Sequence, residues 1–326
     1  MAGTMTVFRK EMADQFGSKR FLILLGIIGL LSIMSAYQGV EYLKNNPQRG
    51  FLAIFTGQEF GFSFIQLMVF FGPIIGLALG FDAINKERTS GTLSTVLSQP
   101  IFRDSVLNGK LLAGTVAVTT LTISTIGLMI GLAIPMLGFG PTIDGALSII
   151  SLTLLTILYL AFWLSLGTLF SVLTKKTSTS MLASVGTWLT CVIVISILAS
   201  LIANAMVPLP SFQGTFTQGN RTQGGGFNPQ ISPEYRALTE QRFTIQSTIS
   251  KISPTNLYSE AASAILGVAQ SRVGFGSINP NPTRTLTLSQ GLAASWANIA
   301  AIAVGLVICF VASYTKFLRS EIRPGG

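Results

Sequence analysis

Six stretches of the chain, residues 21–37, 62–81, 111–132, 146–170, 181–206 and 292–314, are largely apolar and contain no Asp, Glu, Lys or Arg. Each is long enough to be a helix crossing a hydrocarbon core about 30 Å thick, which takes about 17–25 residues. A water-soluble globule of this size would carry roughly 25% charged residues; this chain of 326 residues carries 10%. The fold class that follows is an all-α integral membrane protein with six transmembrane helices. The first run reads as a span rather than a signal peptide, because a polar, helix-patterned segment precedes it and no small-residue cleavage site follows.

Six spans put both termini on one side, and the basic residues decide which. Thirteen Lys and Arg fall on the side of the termini: Arg9, Lys10, Lys19 and Arg20, then Lys86, Arg88, Arg103 and Lys110, then Lys175 and Lys176, then Lys316, Arg319 and Arg323. The short loop after the first span has only Lys44 and Arg49, and the long loop before the last span translocates largely regardless of its charge. Both termini are therefore expected to be cytoplasmic, in a multi-pass protein of the cytoplasmic (plasma) membrane. The net charge of +9 is accounted for by this asymmetry and calls for no nucleic acid.

Three segments outside the spans are patterned. In residues 5–20, Phe8, Met12 and Phe16 recur at helical spacing while Arg9, Lys10, Asp14 and Gln15 take other faces, which predicts an amphipathic helix at the membrane interface. An ordinary polar extension is the alternative. Residues 82–110 form a connection too patterned for a simple turn: Leu93, Val96 and Leu97 make one apolar stripe that ends at Gln99-Pro100, predicting a short helix parallel to the membrane. A further turn over 103–109 would lead into the third span. The external loop, residues 207–289, begins with a stretch dense in Gly, Gln, Thr and Asn. Helix signals follow: Ser232-Pro233-Glu234 opens a helix over about 233–252 with Tyr235, Leu238, Ile245, Ile249 and Ile252 in its stripe, and Ser253-Pro254 opens a second over about 254–269. The domain division is thus 1–206 with 290–326 as the transmembrane part, and 207–289 as an external subdomain. Asn220-Arg221-Thr222 in that loop is a glycosylation triplet of the kind that arises often by chance.

The chemistry is defined mostly by what is missing. There is no histidine, and the two cysteines, Cys191 and Cys309, lie inside apolar runs, so His-based acid–base catalysis, a zinc site and a disulfide framework have no residues to build them. The charge-free spans disfavour an ion-coupled carrier, which needs ionisable groups in the bilayer. Gly109-Lys110 does not open a phosphate-binding loop, since Leu111 follows it and Asp104 stands where the first glycine belongs. No catalytic, cofactor-binding or metal site is expected in this chain, and energy from ATP would have to come from another polypeptide. The spans do carry small-residue motifs, Gly72, Gly76 and Gly80 in the second and Gly127 and Gly131 in the third, suited to close helix packing either within one chain or between two copies. The hydroxyls of Thr115, Thr119, Thr122 and Ser124 in the third span either bond to their own helix or line a path.

The run from Asp82 through Glu87-Arg88-Thr89-Ser90-Gly91-Thr92-Leu93, then Val96-Leu97-Ser98-Gln99-Pro100-Ile101-Phe102-Arg103 and Leu107-Asn108-Gly109-Lys110, resembles the cytoplasmic loop of type-2 ABC exporter permeases. Val7-Phe8-Arg9-Lys10-Glu11-Met12 is similar to that family's N-terminal connecting helix, and Ile252-Ser253-Pro254 to its signal before the last span. The external loop is much longer than in the simplest members. The resemblance implies a permease that forms a homodimer in the membrane lipid and binds two copies of a separate cytoplasmic ABC ATPase, which would hold the ATP and Mg. It implies that the segment around 87–97 is a coupling helix, with Asp82, Glu87, Arg88, Gly91, Thr92, Leu93, Val96, Leu97, Pro100 and Arg103 at the ATPase contact. The apolar stripe suits docking and the charges suit directional ion pairs at its rim. Export of a substrate is the function implied; a non-transport transmitter or anchor acting on an external protein partner is the alternative.

Overall fold

The computed structural model describes residues 2–56, 63–91, 102–208, 233–267 and 286–319, and no strand occurs among them. Helix α1 (Ala2–Phe16) turns sharply into α2 (Lys19–Asn45), the first span. Ser18 makes the corner: its hydroxyl donates to the Gln15 carbonyl at 2.7 Å and accepts from the Phe21 amide at 3.2 Å, capping α2. A short helix α3 (Ala53–Thr56) folds back on α2, where a Cβ on Gly39 would stand 2.7 Å from the Ile54 carbonyl oxygen. The second span is α4 (Phe64–Gly80), started by a capping box between Ser63 and Gln66 and continued after an elbow by α5 (Asn85–Thr89).

The third span, α6, is a single helix, Arg103–Leu137, ending on Gly138 with φ of +76°. The turn expected over 103–109 is its first two turns, not a separate piece. The fourth span is α7 (Ile143–Leu173). The fifth, Thr177–Met206, consists of α8 (Thr177–Leu189), a π-turn (Thr190–Val194) and α9 (Ile195–Met206). Two helices of the long loop follow, α10 (Pro233–Ser250) and α11 (Pro254–Ile265), and the last span is α12 (Leu288–Arg319). Among the described residues, six helices are long and apolar enough to cross a membrane. All but α4, which lies within residues 62–81, overrun their charge-free cores, because a helix continues through the interface while its polar ends find partners.

The chain divides into two compact units, residues 1–189 with 254–326, and residues 190–253. In the first, α7 is the central helix, packed on α4, α6 and α12. Contact with α4 is close because glycines leave room: a Cβ on Gly76 would lie 2.6 Å from Trp163 Cβ and 2.7 Å from the Leu160 carbonyl oxygen, and one on Gly80 would lie 2.5 Å from the Leu164 carbonyl oxygen. Gly72 meets Tyr159 in the same way. Gly127 and Gly131 on α6 face open space. The threonines of α6 bond to their own helix, Thr115, Thr119 and Thr122 each donating to the carbonyl four residues back at 2.7–2.8 Å.

Helix α11 is packed with the spans rather than left outside them. It contacts α4, α7 and α12, its buried face is Thr255, Tyr258, Ser259, Ala261, Ala262, Ser263 and Ile265, and Tyr258 stacks on Tyr159 at 4.3 Å while its hydroxyl is 3.0 Å from Thr156. The expected helix 254–269 is helical to Ile265; residues 268 and 269 lie outside the described residues.

The second unit pairs α10 with α9. Leu238, Ile245 and Ile249 are half-buried along α10, Tyr235 is in its first turn, and Ile252, beyond its last residue, stands 72% exposed. The Ser253 hydroxyl donates to the Cys191 carbonyl at 2.8 Å, one of the carbonyls displaced by the π-turn.

Candidate functional site

At the end of the first unit that carries both termini, six helices, α1, α2, α6, α7, α8 and α12, are tied together through the elbow between α4 and α5 and the turn of helix that follows it. The anchors are polar. The Ser171 hydroxyl, near the end of α7, accepts from the backbone amides of Ile84 and Asn85, both at 3.0 Å. Asn85 is fully buried and donates through Nδ2 to Thr174 Oγ1 at 2.8 Å; Arg88 donates to the Thr174 carbonyl at 3.2 Å. From α8, the Ser180 hydroxyl donates to the Phe81 carbonyl at 2.7 Å. Every amide and carbonyl freed where α4 stops is a potential orphan in a low-dielectric setting, and these side chains take up several of them. Beneath the elbow, Ile84, Leu107, Val172 and Phe317 form a buried apolar cluster that joins α6, α7 and α12 to it.

Two ion pairs connect the elbow to the N-terminal segment. Asp82, 9% exposed, pairs with Arg20 at the start of α2, and that guanidinium lies 5.6 Å from the centre of the Phe81 ring. The second centres on Lys110 of α6, which is 7% exposed. Its Nζ donates to Glu11 of α1 and to Glu87 of α5, each at 2.8 Å, and the exposed Lys10 adds longer contacts of 3.6 and 3.8 Å to the same two carboxylates. One buried ammonium thus holds α1, α5 and the third span together. A charge at this depth is tolerable only because it is paired and hydrogen-bonded, and removing one partner from such a cluster typically costs ~3–5 kcal/mol.

Glycine allows the close approach of α1. A Cβ on Gly109 would be 2.8 Å from Val7 Cβ, so any side chain there would push α1 off α6 and draw Glu11 away from Lys110. Helix α1 therefore packs on the third span through Val7.

Of the residues singled out from the sequence, Asp82, Glu87 and Arg88 come together here. Gly91, at the end of the described elbow, takes φ of +73°, a conformation that favours glycine, and Arg103 is exposed at the first position of α6. Thr92, Leu93, Val96, Leu97 and Pro100 lie outside the described residues. Sequence reasoning did not single out Glu11, Arg20, Lys110, Ser171 or Thr174 for this site. Their partners are 62 to 99 residues away along the chain, apart from the 23 between Lys110 and Glu87, so no spacing pattern joins them. Lys110 and Glu11 did fall within the two runs that carry the family resemblance, and Lys110 is the last charge before a charge-free run, but neither signal names a partner.

This arrangement, an elbow rigidly fastened to the spans and a buried charge joining it to α1, belongs to a chain whose residues 5–322 match the family described as ABC-2 family transporter protein. The chain belongs to this family. It is 32% identical over 147 residues to a probable ABC transporter permease protein NosY of Pseudomonas aeruginosa, covering 45% of this chain and 46% of that protein. A probable ABC transporter permease protein NosY of Stutzerimonas stutzeri is 29% identical over 134 residues, covering 41% of this chain and 42% of that protein. The chain thus spans less than half the length of these curated relatives in the stretches that match. Family membership and the six spans make it a multi-pass membrane subunit of the ABC transporter type.

Proposed function

We propose that this chain is the permease subunit of an ATP-driven exporter, and that the end bearing α1, the α4–α5 elbow and the start of α6 receives the work of a separate cytoplasmic ABC ATPase. The observation that carries this reading is the buried Lys110 bridge. A segment that docks a partner transmits force only if it is fastened to the helices that must move, and Lys110 fastens α5 to both α1 and the third span. The family supplies the expectation of an ATPase, two copies of which would bind a homodimer of this chain and hold ATP and Mg themselves. Residues 92–101, with Leu93, Val96 and Leu97 as their apolar stripe, are the docking segment, and both termini face the cytoplasm. A second reading, transmission to an external protein, is favoured by the exposure of Ile252 beside the half-buried stripe of α10.

Co-purification of the ATPase with tagged permease tests the docking claim. Leu93→Asp is expected to abolish it while leaving the protein inserted, because burying a charge in place of an apolar contact costs several kcal/mol. Undiminished co-purification with Leu93→Asp would remove residues 92–101 from the interface. ATP-dependent substrate movement by the reconstituted complex supports export; stimulated hydrolysis without movement supports transmission.

A further inference from the structure

A half-open cavity of about 360 Å³ lies between α1, α6, α7 and α12, within the half of the first unit that carries the termini. That volume is at the lower end of the ~300–1,000 Å³ usual for small-molecule sites. Leu111, Leu164, Leu306 and Phe310 give it an apolar wall, and no charged residue lines it. Beside its rim Leu112 is 51% exposed, as a residue facing lipid would be. Its polar lining is neutral.

One of these polar groups stands out. Ser165 is 3% exposed and its hydroxyl has no hydrogen-bond partner. Serine and threonine in the middle of an apolar helix normally satisfy the hydroxyl on the carbonyl four residues back. Thr156 and Thr168 on the same helix do so at 2.8 and 2.9 Å, and Thr115, across the cavity, does so at 2.8 Å. Ser165 leaves its donor unused, as Ser32, Ser35 and Ser184 do elsewhere on the spans, but it is the one of these that lines this cavity, and a buried hydroxyl without a partner in a low-dielectric site is costly. Its position suggests what would use it. Helix α7 has 31 residues, about 46 Å at 1.5 Å each, and overruns a hydrocarbon core of about 30 Å by about 8 Å at each end if centred. Ser165 precedes Leu173, the helix end, by eight residues, about 12 Å. It therefore sits about 4 Å inside the edge of the hydrocarbon, just below the depth at which the uncharged ester groups of membrane lipids begin.

We propose that this cavity binds an acyl chain of a bilayer phospholipid, with the Ser165 hydroxyl donating to the lipid's ester carbonyl and the chain lying against Leu111, Leu164, Leu306 and Phe310. The neutral lining selects an uncharged linkage, and the apolar wall holds the hydrocarbon. Because α1 forms part of the rim through Thr4, the bound chain joins α1 to three spans.

The test uses the full chain in phosphatidylcholine vesicles carrying a trace of phosphatidylcholine with a diazirine in one acyl chain, followed by mapping of the photo-adducts. Adducts concentrated on 111–115 and 161–165 are expected. Ala161→Phe, which fills the cavity, is expected to lower them at least tenfold, and Ser165→Ala, which keeps the space and removes one hydrogen bond, about threefold to tenfold. If Ala161→Phe fails to insert, Ser165→Ala decides alone. Adducts spread evenly over the exposed face of α12, or adducts at these segments indifferent to Ser165→Ala, would overturn the proposal. So would labelling of the same segments by a diazirine fatty acid but not by the phospholipid, which would assign the cavity to a free acid.

Discussion

Lys110 shows what a single residue contributes that composition does not reveal. By position it is one of thirteen basic residues whose bias is expected to orient the chain; by geometry it is the common partner of Glu11 and Glu87, each at 2.8 Å. Nothing in the sequence within a few turns of Lys110 announces Glu11, 99 residues earlier, which explains why half of this cluster was legible and half was not. Glu87 and Lys110 both lie in the patterned connection, but only Glu87 falls in the segment assigned to the ATPase contact, and nothing in the pattern pairs the two. Lys110→Met leaves two half-buried carboxylates facing each other with only the longer contacts of the exposed Lys10, and is expected to destabilise the protein by ~3–5 kcal/mol. Thermal unfolding in detergent checks this, and a cycle with Glu11→Gln should return part of the loss, because removing one carboxylate relieves the repulsion. Additive losses in the two single variants would show that the pair is not coupled.

At the scale of elements, the spans were readable because a charge-free run of the right length has few other uses, while their ends were not. Helix α6 starts at Arg103, eight residues before its charge-free run, because partners from α1 and α5 make a buried lysine tolerable there. Helix α3 has four residues and therefore no periodicity to detect. The placement of α11 among the spans was hidden for another reason: Thr255, Ser259 and Ser263 look polar in a sequence, but in a membrane protein small hydroxyl residues serve close packing. The glycines give a contrast between two motifs that look alike. Gly76→Ala must displace α7, since its Cβ would meet Trp163 at 2.6 Å, and a loss of 1–3 kcal/mol is expected, about the usual range for overpacking. Gly127→Ala meets nothing within 4 Å and should be neutral or stabilising by up to about 1 kcal/mol through helix propensity. Melting temperatures of the two variants in the same detergent read the difference, and equal losses would contradict the packing described for α4 and α7.

The described residues of the first unit present two kinds of surface, apolar faces on the spans and a charged, tightly bonded end near the N-terminus. Exposed Leu22, Ile23, Ile27 and Leu30 on α2 and Val304, Val307, Ile308 and Val311 on α12 have no place in water and suit lipid or a second copy of the chain. Orientation is tested with single cysteines in a background lacking Cys191 and Cys309. A membrane-impermeant thiol reagent applied to intact cells should label Arg242→Cys and spare Lys176→Cys; the reverse pattern would place the elbow on the wrong side for a cytoplasmic ATPase. The central claim, that the buried bridge carries work from a docked ATPase into the spans, is tested most directly by ATP hydrolysis in proteoliposomes containing the ATPase with wild-type chain, Lys110→Met or Lys110→Arg. Since Lys110 is 7% exposed and bonded to the chain's own carboxylates, the ATPase should remain bound to all three. The account predicts that stimulation of hydrolysis falls at least tenfold with Lys110→Met and is largely kept with Lys110→Arg; full stimulation by a folded, ATPase-bound Lys110→Met chain would contradict it.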